Sequence, residues 1–128
     1  MYVRFVVDKK DEVSGRNMGL FMAMDCLLEK GALYEYEKEL EDELYKWFKK
    51  NLKIPKVQSS KSNHYSKPMA VSWFKNTANE HIDKMRQYAQ ILEAHEVSVS
   101  QIITERPGNV VYEDKHQIAA IPFKDTFK

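Results

Sequence analysis

Four histidines are the residues whose chemistry would be most useful: His64, His81, His95 and His116. Their spacing matches no metal signature of the HExxH or CxxC…HxxxH kind, so no metal is expected. Glu80 precedes His81, and Asp114 lies two residues before His116. If the start of the helix bearing Glu80 and His81 faces the turn bearing His116, these three could act as general acids and bases. Ser59, Ser60 and Ser62 lack a nucleophile-elbow context. There is no GxxxxGK[ST] or GxGxxG string to cradle a phosphate, and no cofactor is implied.

Lysine supplies a second kind of chemistry. Residues 44–79 contain eight lysines and no acid, with Tyr45, Trp47, Phe48, Tyr65, Trp73 and Phe74 interleaved. Ammonium groups displace counterions from phosphates, and aromatic rings stack on bases. The helix dipole accounts for Lys46, Lys49 and Lys50 near a helix C-terminus. It cannot account for lysines beyond Pro55, where the helix must stop. Lys53, Lys56, Lys61 and Lys67, with Tyr65, are therefore the expected contacts to an anionic partner. RNP, KH and zinc-finger patterns are absent.

The charge around that block is uneven. Residues 1–43 hold six basic and eleven acidic side chains, residues 44–79 eight and none, and residues 80–128 six and eight, for a net charge of +1. The bland alternative is that the acidic and basic blocks lie close and cancel as solvated faces. At 128 residues, single-domain size is expected. One cysteine, Cys26, excludes an internal disulfide and fits a reducing cytoplasm. The N-terminal MYVRFVVDKKD carries charge too early for a secretion signal. No apolar run approaches the ~20 residues of a membrane span.

The elements that must position these groups follow from periodicity. Five of the six residues Tyr2–Val7 favour strand and only Arg4 interrupts, so a buried or half-buried strand is expected. Leu20, Met24, Leu27 and Leu28 share a helical face, with Asn17 as N-cap and Gly31 ending the helix. A second helix carries Leu33, Tyr36, Leu40, Leu44, Trp47 or Phe48, and Leu52, acidic first and basic last. Lys56–Pro68 reads as an exposed loop, longer than the ~12 residues usual in compact domains. Residues 69–75 read as a strand, with the first turns of a helix as the alternative. Thr77 and Glu80 suggest a capping box for a third helix with Ala78, Ile82, Met85, Ala89 and Leu92 inward. Strands follow at 97–104, 109–113 and 117–122, with a turn at Arg106–Asn109. The order is β-α-α-β-α-β-β-β, a single α+β domain with a mixed, mostly antiparallel sheet and a crossover over residues 69–104. Leu40, Leu44, Ile82, Met85 and Leu92 are the expected core.

The strings SWFK at 72–75, EHI at 80–82 and RPGNVVYEDKHQIAAIPF at 106–123 resemble a family of small prokaryotic proteins of unassigned function. The resemblance spans the C-terminal half and implies a prokaryotic setting and no chemistry. The composition points to a non-catalytic binding or regulatory protein acting on a protein or an anionic partner, nucleic acid included. The alternative is a small hydrolase or nucleic-acid-processing enzyme using Glu80, His81 and His116.

Overall fold

A computed structural model describes residues 1–10, 17–54 and 70–123. Lys56, Lys61, Tyr65, Lys67 and His64 lie outside the described residues, as does Pro55. The chain runs β1 (Tyr2–Lys10), β2 (Asn17–Gly19), α1 (Leu20–Glu29), α2 (Glu35–Asn51), β3 (Val71–Lys75), α3 (Asn79–Ala94), β4 (Val99–Thr104), β5 (Asn109–Glu113) and β6 (Gln117–Ile121). This is the expected α+β order with one short strand, β2, added. Residues 71–75 are strand.

The sheet order is β2-β1-β3-β6-β5, with β4 also on β1, and its pairings are antiparallel. Tyr2 and Val3 pair with both β3 and β4, so those strands flank β1 on opposite edges. The sheet is antiparallel, not mixed: β3 and β4 run the same way with α3 between them, but β1 is inserted between the two strands, so the crossover makes no parallel pair.

β1 alternates as its sequence demands. Val3, Phe5 and Val7 join the three helices in the main core, with Leu20, Met24, Leu44, Phe48, Met85, Tyr88 and Leu92. The opposite face buries Val71, Trp73, Ile118 and Ala120, with Tyr2 and Ile102 packed against them. Coiling of the sheet brings this second cluster together. Thr104 and Asn109 are five residues apart, a reach of at most ~18 Å. In a flat sheet, β4 and β5 would lie four strand spacings apart, ~19 Å before any diagonal offset. The sheet must therefore curl its edges towards each other. The Arg106–Asn109 turn joins two strands that do not pair, where a hairpin would have been the simpler expectation. Gly108, at φ +133°, permits the return: a Cβ there would sit 2.0 Å from the Ile121 carbonyl oxygen.

Several expectations are corrected. The N-cap of α1 is Gly19, not Asn17, which pairs in β2. Ala78, not Thr77, precedes α3, and no side chain caps it. Gly31 does end α1, at φ +65°. Leu28 is exposed, and so is Leu40, at 36%. Leu44, Ile82, Met85 and Leu92 are core as expected.

The shift at Leu40 has a physical cause. The buried face of α2 is Glu37, Glu41, Leu44 and Phe48, rotated away from the apolar stripe of the sequence. Glu41 accepts a hydrogen bond from the Tyr88 hydroxyl at 2.7 Å, and Glu37 accepts one from His95 Nε2 at 2.8 Å. Two α3 side chains thus satisfy carboxylates that would otherwise be too costly to bury. Burial and the Glu41 carboxylate together push the Tyr88 phenol well above its ordinary range. Tyr36 and Leu40 are turned outwards as a consequence.

Candidate functional site

The C-terminal end of α2 leaves backbone carbonyls without helical partners. Side chains from two other elements supply donors. His81, in the first turn of α3, donates from Nε2 to the Asn51 carbonyl at 2.9 Å. Gln117, opening β6, donates from Nε2 to the carbonyl of Lys53. The β5–β6 turn presents Gln117 because Asp114 organises it. One carboxylate oxygen accepts the backbone N–H groups of His116 and Gln117 at 2.8 and 3.0 Å, and the other accepts the Tyr112 hydroxyl at 2.7 Å. Burial works to raise the pKa of Asp114, but these donors outweigh it and hold the carboxyl below its ordinary value.

The same turn delivers His116 against His81. Their ring centroids are 4.3 Å apart with planes inclined by 30°. Trp47 meets the His81 ring edge-on at 4.8 Å, and Phe74 lies 6.0 Å from it. The ammonium of Lys84 stands over the Trp47 ring at 5.6 Å. His81 is 4% exposed and His116 is half-buried. Burial holds the His116 imidazole below its ordinary proton affinity, aided by His81 and Lys115 and opposed by Asp114 and Glu80.

The structure thus brings His81 and His116 together, as the helix-facing-turn arrangement anticipated. Glu80 stays exposed on α3 and acts on His116 only through its charge. Lys53 is exposed, and its own backbone carbonyl is the one that Gln117 holds. His95 lies apart, on Glu37. Sequence reading missed Gln117 and Asn51, which show their role only once α2, α3 and β6 converge. Trp47 was read as core and is instead half-buried against His81.

The arrangement limits the chemistry it can perform. A general acid and a general base acting on one substrate group must flank it. Rings at 4.3 Å are in van der Waals contact and leave no room between them. What the site offers is a set of imidazole N–H and ammonium donors around the exit of the basic stretch. Among the described residues, no three His, Cys, Asp or Glu side chains gather as metal ligands. A cleft of about 350 Å³ lies elsewhere, between β1 and the end of α1, lined by Val7, Lys9, Cys26, Lys30, Glu96 and Val97 among others. It holds none of the candidate catalytic or anion-binding residues.

No helix among the described residues is long and apolar enough to cross a membrane. No family model, curated protein or solved structure matches the chain.

Proposed function

We propose that this protein is a non-catalytic binding or regulatory protein of the prokaryotic cytoplasm. It holds an anionic partner at the His81–His116 pair and along the lysines that follow α2. The observation that carries this reading is the tilted, touching histidine pair beside the end of α2, with Lys115 next to His116, Lys84 over the adjoining Trp47 and the exposed Lys53 just past the helix. Burial of His116 beside other cationic groups lowers its affinity for a proton. A bound anion would reverse that cost, so binding and protonation of His116 favour each other. The Asn51 carbonyl at the end of α2 and the Lys53 carbonyl just beyond it, which would otherwise repel an anion, accept hydrogen bonds from His81 and Gln117. The hydrolytic alternative, using Glu80, His81 and His116, gains no support from rings in direct contact.

The test is fluorescence anisotropy with a labelled single-stranded oligonucleotide and with heparin. Affinity should fall with salt, with a log–log slope of ~0.7 per phosphate contact on a single strand. It should rise as pH falls below the ordinary histidine range, where His116, its proton affinity lowered by burial, gains its proton. The variant Lys53→Gln/Lys56→Gln/Lys61→Gln/Lys67→Gln should lose binding at an unchanged melting temperature, and His116→Gln should lose the pH dependence. Wild-type protein with no salt-sensitive affinity for either ligand or for an acidic protein segment would refute the reading.

A further inference from the structure

The solvent face of α2 carries more order than a solvated surface requires. Its first half exposes Glu35, Glu39, Asp42 and Glu43, and its second half exposes Lys46, Lys49 and Lys50. The dipole accounts for charges in the first and last turns, where Glu35, Glu37, Lys49 and Lys50 stand. It does not reach Glu39, Asp42, Glu43 and Lys46 in the middle. Pairing within the helix takes up Lys38 with Glu35 and Lys46 with Asp42. Glu39, Glu43, Lys49 and Lys50 have no ion-pair partner among the described residues.

Beside these charges runs a stripe that the core leaves outside at Tyr36 and Leu40 and covers in part at Trp47. Tyr36, Leu40, Glu43, Trp47 and Lys50 recur at intervals of four, three, four and three, the spacing of a coiled-coil seam. Tyr36 is 70% and Leu40 36% exposed, while the adjacent Glu37 and Glu41 are 4% and 8% exposed. An amphipathic helix that buries carboxylates and shows its tyrosine and leucine to water has a second apolar face to cover.

From this we infer that α2 is the contact surface of a twofold, antiparallel dimer of this chain. Its occupant is identified by charge: a helix acidic in one half and basic in the other is complementary to its own reverse. A twofold axis crossing α2 near residues 43–45 sets Tyr36 and Leu40 of one copy against Trp47 and the lysine stems of the other. It also sets Glu35 and Glu39 against Lys46 and Lys50. The contact is isologous and closes at two copies. At 17 residues, α2 is ~25 Å long. One such helix pair buries less than the ~1,200–2,000 Å² of a stable interface, so the dimer is weak and depends on concentration and salt. The charges this inference uses are distinct from those of the anion site, whose assigned lysines begin at Lys53, while Trp47 borders both surfaces.

The test is sedimentation equilibrium of the full chain from about 1 μM to about 1 mM at low and high salt. Wild-type protein should dimerise at low salt and dissociate as salt rises. Glu35→Lys/Glu39→Lys and Lys46→Glu/Lys50→Glu should each weaken self-association by about tenfold or more, since each reversal acts twice across the axis. An equimolar mixture of the two variants should recover a heterodimer, which neither misfolding nor a change in solubility would produce. Thermal melts would verify that both variants fold, and Leu40→Asp supplies a second disruption outside the charge pattern. A wild-type monomer throughout, association unchanged by the reversals, or a mixture without heterodimer would each overturn the inference.

Discussion

At Glu37 the fold buries a carboxylate and keeps it ionised. Burial works to raise its pKa, but the Tyr34 N–H at 2.8 Å and the His95 imidazole outweigh burial and hold it below the ordinary 4.5. A carboxylate lowered in the folded state contributes stability above its unfolded value, and that stability is lost as pH falls towards the folded value. Urea unfolding of wild-type protein should therefore show a midpoint that drops below about pH 4.5. Glu37→Gln should be less stable at pH 7 and much flatter across that window; parallel pH profiles would show that the carboxylate contributes nothing. Gly108 poses a different constraint, since a side chain there meets backbone at 2.0 Å in a conformation that L-residues rarely adopt. Gly108→Ala should cost more than about 2 kcal/mol, combining the clash with left-handed strain. A loss of only a few tenths in denaturant melts would mean that the β4–β5 connection shifts freely.

Among the elements, α2 separates periodicity from burial. Its apolar residues recur at helical spacing, so the helix itself follows from the sequence. Which face turns inward depends on α3, because Tyr88 and His95 make two glutamates acceptable in the interior. Leu44→Ala and Leu92→Ala should each cost ~2–5 kcal/mol, as truncations in a packed core do. Leu40→Ala, measured at concentrations too low for self-association, should cost less than ~0.5 kcal/mol. Equal losses at Leu40 and Leu44 would show that α2 is rotated from the orientation described. On the sheet, Trp73 and Phe74 face opposite sides and both are buried, at 1% and 8%. Neither is available as a stacking platform for a base.

For the whole molecule, the uneven charge resolves into two surfaces. The exposed mid-helix charges of α2 form one, and the His81–His116 neighbourhood with the lysines from Lys53 onward forms the other. The two should be separable. Glu35→Lys/Glu39→Lys should lose self-association and keep salt-sensitive oligonucleotide binding. The Lys53, Lys56, Lys61 and Lys67 quadruple glutamine variant should do the reverse. Loss of both properties in either variant would merge the surfaces into one.

The sequence by itself determined the order of the main elements, the strand character of β1, the C-terminal ends of α1 and α2, and most of the α3 core. These depend on local period, on glycine and on proline, whose effects act within a few residues. Its histidines and lysines were also legible as candidate chemistry. Tertiary structure decided the partners. His81 meets His116 across 35 residues of chain, Gln117 reaches the end of α2 across 64, and Glu37 finds His95 across 58. Periodicity reports which residues share a face. It cannot report that the facing element carries a hydroxyl or an imidazole, and such groups turned Glu37 and Glu41 inward and left Tyr36 and Leu40 in water.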